Sequence, residues 1–167
     1  PASLIMRLAS LGAELKRART LLTRARTQCG GERVFLKSAL LEREIGDFEL
    51  CLNLLEEGIK KVSESERDGH EPAAPNTNSS QHKTFHKFFL MGADVCAQQG
   101  GEEKIAVAKK WFNNGLKACP NCIDLWIMAS RFEEELEGGS VAKSRSLLEV
   151  ARLKNESNDK LWLEAIR

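Results

Sequence analysis

The chain has 167 residues, 42% hydrophobic and 29% charged, with four prolines and a net charge of +1. That balance suits a folded chain and excludes a disordered one. No apolar run approaches the roughly 20 residues of a membrane helix, so no membrane partner is expected. Five cysteines, odd in number and irregularly spaced, argue against a disulfide framework and for a reducing compartment. The chain begins at Pro1 rather than Met, which is expected of a piece of a longer protein.

Strand signals are poor. There is no Tyr, β-branched runs are few, and no Asn-Gly or Asp-Gly joins alternating segments. Apolar residues recur at spacings of three and four, which predicts helices throughout. In chain order, ARTLLTRA (Ala18 to Ala25) opens the pattern. VFLKSALLEREIG (Val34 to Gly46) follows and is broken at Gly46-Asp47. CLNLLEEG (Cys51 to Gly58) comes next. Residues 63–84, SESERDGHEPAAPNTNSSQHKT, carry no apolar period and are rich in Ser, Asn, Pro and Glu. They are expected to form a flexible insertion between two helices, not a domain boundary. FFLMGADVCAQQG (Phe88 to Gly100) and AKKWFNNG (Ala108 to Gly115) lead to LWIMASRFEEELEG (Leu125 to Gly138). There Gly138-Gly139 predicts a stop and Ser140 a cap. SRSLLEVA (Ser144 to Ala151) and LWLEAIR (Leu161 to Arg167) close the chain.

These segments are two patterns in alternation. First helices align on Phe35, Phe89, Trp126 and Trp162. An acid stands seven residues after the aromatic at Glu42 and Glu133, and Cys96 replaces it in the Phe89 copy. Second helices carry two bulky apolar residues and then a small one, at Ala25, Gly58, Gly115 and Ala151. Glycine inside a helix costs about 1 kcal/mol relative to alanine. Its return at one repeat position predicts a close approach of neighbouring helices. The fold expected is all-α, a solenoid of antiparallel helix pairs, about four of them across residues 1–167. Phe35, Phe89, Trp126, Trp162, Ala25, Gly58, Gly115 and Ala151 are its expected core.

The details resemble the half-a-tetratricopeptide (HAT) repeat family. Trp126, Ala129, Phe132 and Glu133 resemble its first-helix motif. Ala18, Arg19, Leu21, Leu22, Arg24 and Ala25 resemble its second-helix motif, and Ser144, Arg145, Leu147, Leu148 and Ala151 do so in part. GLKACPNCIDLWIMASRFEE (Gly115 to Glu134) and ARLKNESNDKLWLEAIR (Ala151 to Arg167) are similar to the repeats of the pre-mRNA-processing factor six family of splicing factors. The 63–84 insertion, the absence of Trp at 35 and 89, and Glu156 where the family often has Pro depart from it. The resemblance implies a nuclear, non-catalytic protein-binding scaffold that bridges tri-snRNP proteins and uses no cofactor. A HAT scaffold of another RNA-processing complex is the alternative within the family. End repeats with uncovered apolar faces are expected to self-associate.

Chemistry finds little support in the residues. Cys119 and Cys122 have ligand spacing, and His82 and His86 stand four apart. The pairs are separated by a helix and ordered unlike a zinc finger, so no metal is expected. No strand precedes Cys119, as a redox motif requires. Cys96 has no oriented base. No glycine-rich phosphate loop is present. The charge is uneven. Residues 1–40 carry eight bases against Glu14 and Glu32, and residues 41–71 carry ten acids against four bases. Lys16, Arg17 and Arg24 on the basic N-terminal segment offer a weak RNA contact, without the interleaved aromatics that stack bases.

Overall fold

A computed structural model describes residues 2–67, 84–136, 139–156 and 158–166; the side chains of 2–11 and 65–67 are not described. Every described regular element is an α-helix. They are α1 (Ala2–Gln28), α2 (Glu32–Ile45), α3 (Phe48–Arg67), α4 (His86–Gln99), α5 (Glu102–Ala118), α6 (Ile123–Glu135), α7 (Val141–Lys154) and α8 (Asp159–Ile166). Neighbouring helices pack in pairs, α2 with α3, α4 with α5 and α6 with α7. This is the all-α, helix-pair architecture of an α-solenoid. α3 continues through Ser63 to Arg67, so the first residues of the expected insertion are helical. Its remainder, 68–83, lies outside the described residues, as does His82.

The chain divides into two compact units, residues 1–79 and 80–167. In the first, α1 packs on α2 and α2 on α3. The turn between α2 and α3 follows from Gly46. Its φ of 91° is left-handed, and its N–H reaches the carbonyls of Arg43 and Glu42. Asp47 then starts α3, its carboxylate accepting the Leu50 N–H at 3.2 Å. Phe35, Leu36 and Ala39 on α2 and Cys51, Leu54 and Leu55 on α3 are buried. Their spacing of three and four is the stripe anticipated from sequence.

In the second unit α4 and α5 pack closely, α5 leads to α6, α6 pairs with α7, and α8 rests on α6 and α7. Phe88, Phe89, Trp111, Phe112, Leu116, Leu125, Trp126, Leu148 and Leu161 are buried. Phe89 meets Trp111 edge-on at 6.3 Å, and Phe112 meets Phe132 at 5.2 Å. Such pairs add a little to the area they bury. Ser140 caps α7, its Oγ accepting the Lys143 N–H at 3.3 Å. Gly138 lies outside the described residues, and α6 ends at Glu135.

Candidate functional site

The aligned aromatics divide. Phe35, Phe89 and Trp126 are 1%, 4% and 4% exposed, whereas Trp162 is 48% exposed. Trp126 lies between α5 and α7, beside Leu116, Leu147 and Val150. Trp162 has α7 on one side only, where the Arg152 guanidinium lies 3.5 Å from its ring centroid. Among the described residues no further helix closes its other side. Leu161 is the anchor of α8 instead, fully buried.

Of the small residues, Gly58, Gly115 and Ala151 are buried and Ala25 is half-buried. A β-carbon on Gly115 would lie 2.8 Å from Leu125 Cδ2 and 2.8 Å from Phe89 Cβ. The glycine thus lets side chains of α4 and α6 reach the α5 backbone. Gly92 on α4 plays a similar part that the sequence pattern missed. Its β-carbon would lie 2.5 to 2.8 Å from the Trp111 ring carbons. Its repeat mates Ser38, Ala129 and Ala165 are small but not glycine, so periodicity marked a small position without marking the close approach.

The repeated acids find cations. Arg19 of α1 grips Glu42 of α2 with two hydrogen bonds, Nε to Oε1 at 2.9 Å and Nη2 to Oε2. Lys109 of α5 holds Glu133 of α6 at 2.9 Å. Arg19 and Lys109 both follow the small residue that opens the second-helix motif, Ala18 and Ala108. Each pair therefore joins a second helix to the first helix after it, at the same repeat position. The Phe89 copy departs on both sides: Cys96 replaces the acid, and Leu52 stands in the Arg19 register of the preceding second helix. The similar separations, 23 residues from Arg19 to Glu42 and 24 from Lys109 to Glu133, were the sequence signal for this clamp. Arg131 of α6 makes a further two-pronged pair with Glu164 of α8, at 2.6 and 2.8 Å. Hydrogen bonds to Glu42 and to Glu164 raise the pKa values of Arg19 and Arg131 above the ordinary value.

The clamp is asymmetric in burial. The Glu42 side chain is 6% exposed, that of Arg19 40%. Removing the cation leaves a buried carboxylate unpaired, while removing the carboxylate leaves a cation that water can reach. Arg19→Leu is therefore expected to lower the melting temperature further than Glu42→Leu. Equal shifts in thermal melts would contradict the asymmetry.

The cysteine turn is structural. α5 ends at Ala118, with the Cys119 N–H bonded to the Gly115 carbonyl at 2.7 Å. Pro120 follows the C-cap, where it cannot continue the helix. Cys122 occupies the N-cap position of α6 without a side-chain cap bond. Asn121 and Asp124 have the capping chemistry, but Asn121 precedes that position and Asp124 lies within the first turn, so neither is the cap. Burial pushes the Cys122 thiol up, only partly offset by the nearby N–H groups of Leu125 and Asp124. Burial likewise raises Cys96, against the pull of Lys104. Both thiols are held in the protonated, weakly nucleophilic form. Among the described residues no three His, Cys, Asp or Glu side chains cluster to hold a metal. No described helix is long and apolar enough to cross a membrane. Lys16, Arg17 and Arg24 are exposed on α1.

The geometry defines a class first: paired helices with buried aromatic anchors, joined through cation–carboxylate clamps. No protein-family model matches the chain. The chain is similar to Pre-mRNA-splicing factor prp1 of Schizosaccharomyces pombe, 31% identical over 83 residues, which is 50% of this chain and 8% of that protein. It is also similar to Protein STABILIZED1 of Arabidopsis thaliana, 52% identical over 48 residues, which is 29% of this chain and 5% of that protein. The chain thus spans less than a tenth of the length of either relative.

Proposed function

We propose that this chain is a stretch of a HAT-repeat array that works as a protein-binding scaffold in pre-mRNA splicing. Its likeness to a protein named as a pre-mRNA-splicing factor, over half of the chain, carries the reading. The helix-pair fold supports it, because stacked repeats present an extended surface without ordering it on binding. The finer reading, from the resemblance of Gly115 to Glu134 and Ala151 to Arg167, is the pre-mRNA-processing factor six type. On that reading the partners are other proteins of the tri-snRNP, the setting is the nucleus, and the role is non-catalytic. Residues 1–167 then form about four helix pairs with an insertion between α3 and α4.

Affinity capture from nuclear extract tests this. The immobilised chain is expected to retain tri-snRNP proteins, identified by mass spectrometry, before and after ribonuclease treatment. Retention of no splicing protein above a blank resin would overturn the scaffold reading. Retention abolished by ribonuclease would move the function to RNA contact through Lys16, Arg17 and Arg24.

A further inference from the structure

We propose that the groove between α5 and α7 is a docking site for an acidic peptide segment that inserts one bulky apolar side chain. The proposal rests on the scaffold reading and names a surface and a partner chemistry for it. The groove has a volume of about 400–500 Å³ and lies within the second unit. Leu116 and Trp126, 7% and 4% exposed, form its floor, and Leu147 and Val150 of α7 form an apolar wall. The Trp126 ring is fixed by its Nε1–H, which donates to the Pro120 carbonyl at 2.8 Å. Asn155 Nδ2 donates to the same carbonyl at 3.3 Å. That carbonyl is satisfied, so the groove's end asks for no donor from an occupant.

The rim is cationic. Lys117 stands on α5 and Lys154 on α7, both exposed, with Lys154 Nζ 5.5 Å from the Trp126 ring centroid. No acidic residue lines the groove. Among the described residues neither lysine has an ion-pair partner. Elsewhere in this unit Lys109 is matched by Glu133 and Arg131 by Glu164, while Arg152 lies on the Trp162 ring. Two unmatched cations over an apolar floor call for an occupant with carboxylates beside an apolar side chain. A nucleic acid brings negative charge as well. Yet Trp126 is too buried to offer a face for base stacking, whereas half-buried Leu147 and exposed Val150 offer an aliphatic wall to an apolar side chain, which favours a peptide.

The test is fluorescence anisotropy on the 167-residue chain, with a labelled peptide of Asp and Glu residues around one Phe. Saturable binding is expected. The Lys117→Glu/Lys154→Glu double variant should weaken it about tenfold or more. A peptide with Ser in place of Phe should bind at least about tenfold more weakly, having lost its anchor. Both lysines are exposed but stand in the last turns of α5 and α7, so the double variant should stay folded with its midpoint lowered by only a few degrees. Absence of saturable binding, equal binding by the double variant, or equal binding of the Ser peptide overturns the proposal. So does an oligouridine that binds the wild type and is lost on charge reversal, which would assign the groove to nucleic acid. Nuclear-extract capture separates the two levels. Splicing proteins retained equally by wild type and double variant sink the groove and leave the scaffold, whereas none retained by the wild type sinks the scaffold itself.

Discussion

Trp126→Ala is expected to destabilise the chain by about 3–5 kcal/mol, the range for truncating a buried aromatic. The side chain is 4% exposed and sits among Leu116, Leu147 and Val150. Its removal opens a cavity that α5 and α7 cannot both close, because each also packs elsewhere in its unit. It also strips one donor from the Pro120 carbonyl, leaving Asn155 Nδ2 as the remaining one of the pair. A midpoint loss on the order of 10 °C should follow for a chain of this length. Trp126→Phe separates the two contributions. It keeps most of the ring volume and loses the Nε1–H bond, at about 1 kcal/mol. Trp162→Ala is the internal control. That residue fills the same repeat position but is 48% exposed under Arg152, so the loss should stay near or below 1 kcal/mol. Comparable losses for the two alanine variants would show that Trp162 is covered in solution.

The contrast between these tryptophans marks what a sequence pattern can carry. Periodicity reports which residues share a helix face. Phe35, Phe89 and Trp126 share such faces; the Gly46 stop, the Ser140 cap and the helix pairs were legible from punctuation and period. Whether a face is covered depends on the element opposite it. Leu161-Trp162 and Leu125-Trp126 are the same dipeptide, yet only the second has a helix on both sides. The Gly92 contact was illegible for a similar reason: it depends on the rotamer of Trp111, in another helix. The cation–carboxylate clamp lay between these cases. Glu42 and Glu133 stood out as repeated acids, and Arg19 as a motif residue. Joining them required knowing that α1 lies against α2 and α5 against α6. The cap of α6 is not legible from side chains, because Asn121 and Asp124 have the better capping chemistry. The chain enters the helix at Cys122 regardless, the backbone path from Pro120 to Leu125 outweighing local side-chain preference.

Gly115→Leu is expected to destabilise by roughly 1–3 kcal/mol through overpacking, with the upper end favoured by what surrounds the site. Leu125 Cδ2 is the end of a flexible side chain and can move aside. Phe89 Cβ and Cγ, which an added β-carbon would approach to 2.8 and 2.9 Å, are fixed close to the α4 backbone and cannot. Relief therefore requires α4 and α5 to separate, which disturbs the Phe89–Trp111 contact as well. Gly115→Ala is the sharper variant, since two effects of opposite sign meet in it. Helix propensity favours alanine by about 1 kcal/mol. The clash with Phe89 opposes that gain and should exceed it, leaving the variant less stable than the parent. Gly12→Ala supplies the reference, because Gly12 lies on α1 and among the described residues no other element comes within 4 Å of the added carbon. It should stabilise through propensity alone. Thermal melts of the three variants should rank Gly12→Ala above the parent, Gly115→Ala below it and Gly115→Leu lowest. If Gly115→Ala instead stabilises as much as Gly12→Ala, Gly115 does not govern how closely the helices approach. If the ranking holds, the residue at this repeat position sets the spacing of α4 and α6 against α5. A scaffold whose function is the placement of its surfaces would then tolerate little growth there, because each added methylene shifts the helices that carry those surfaces.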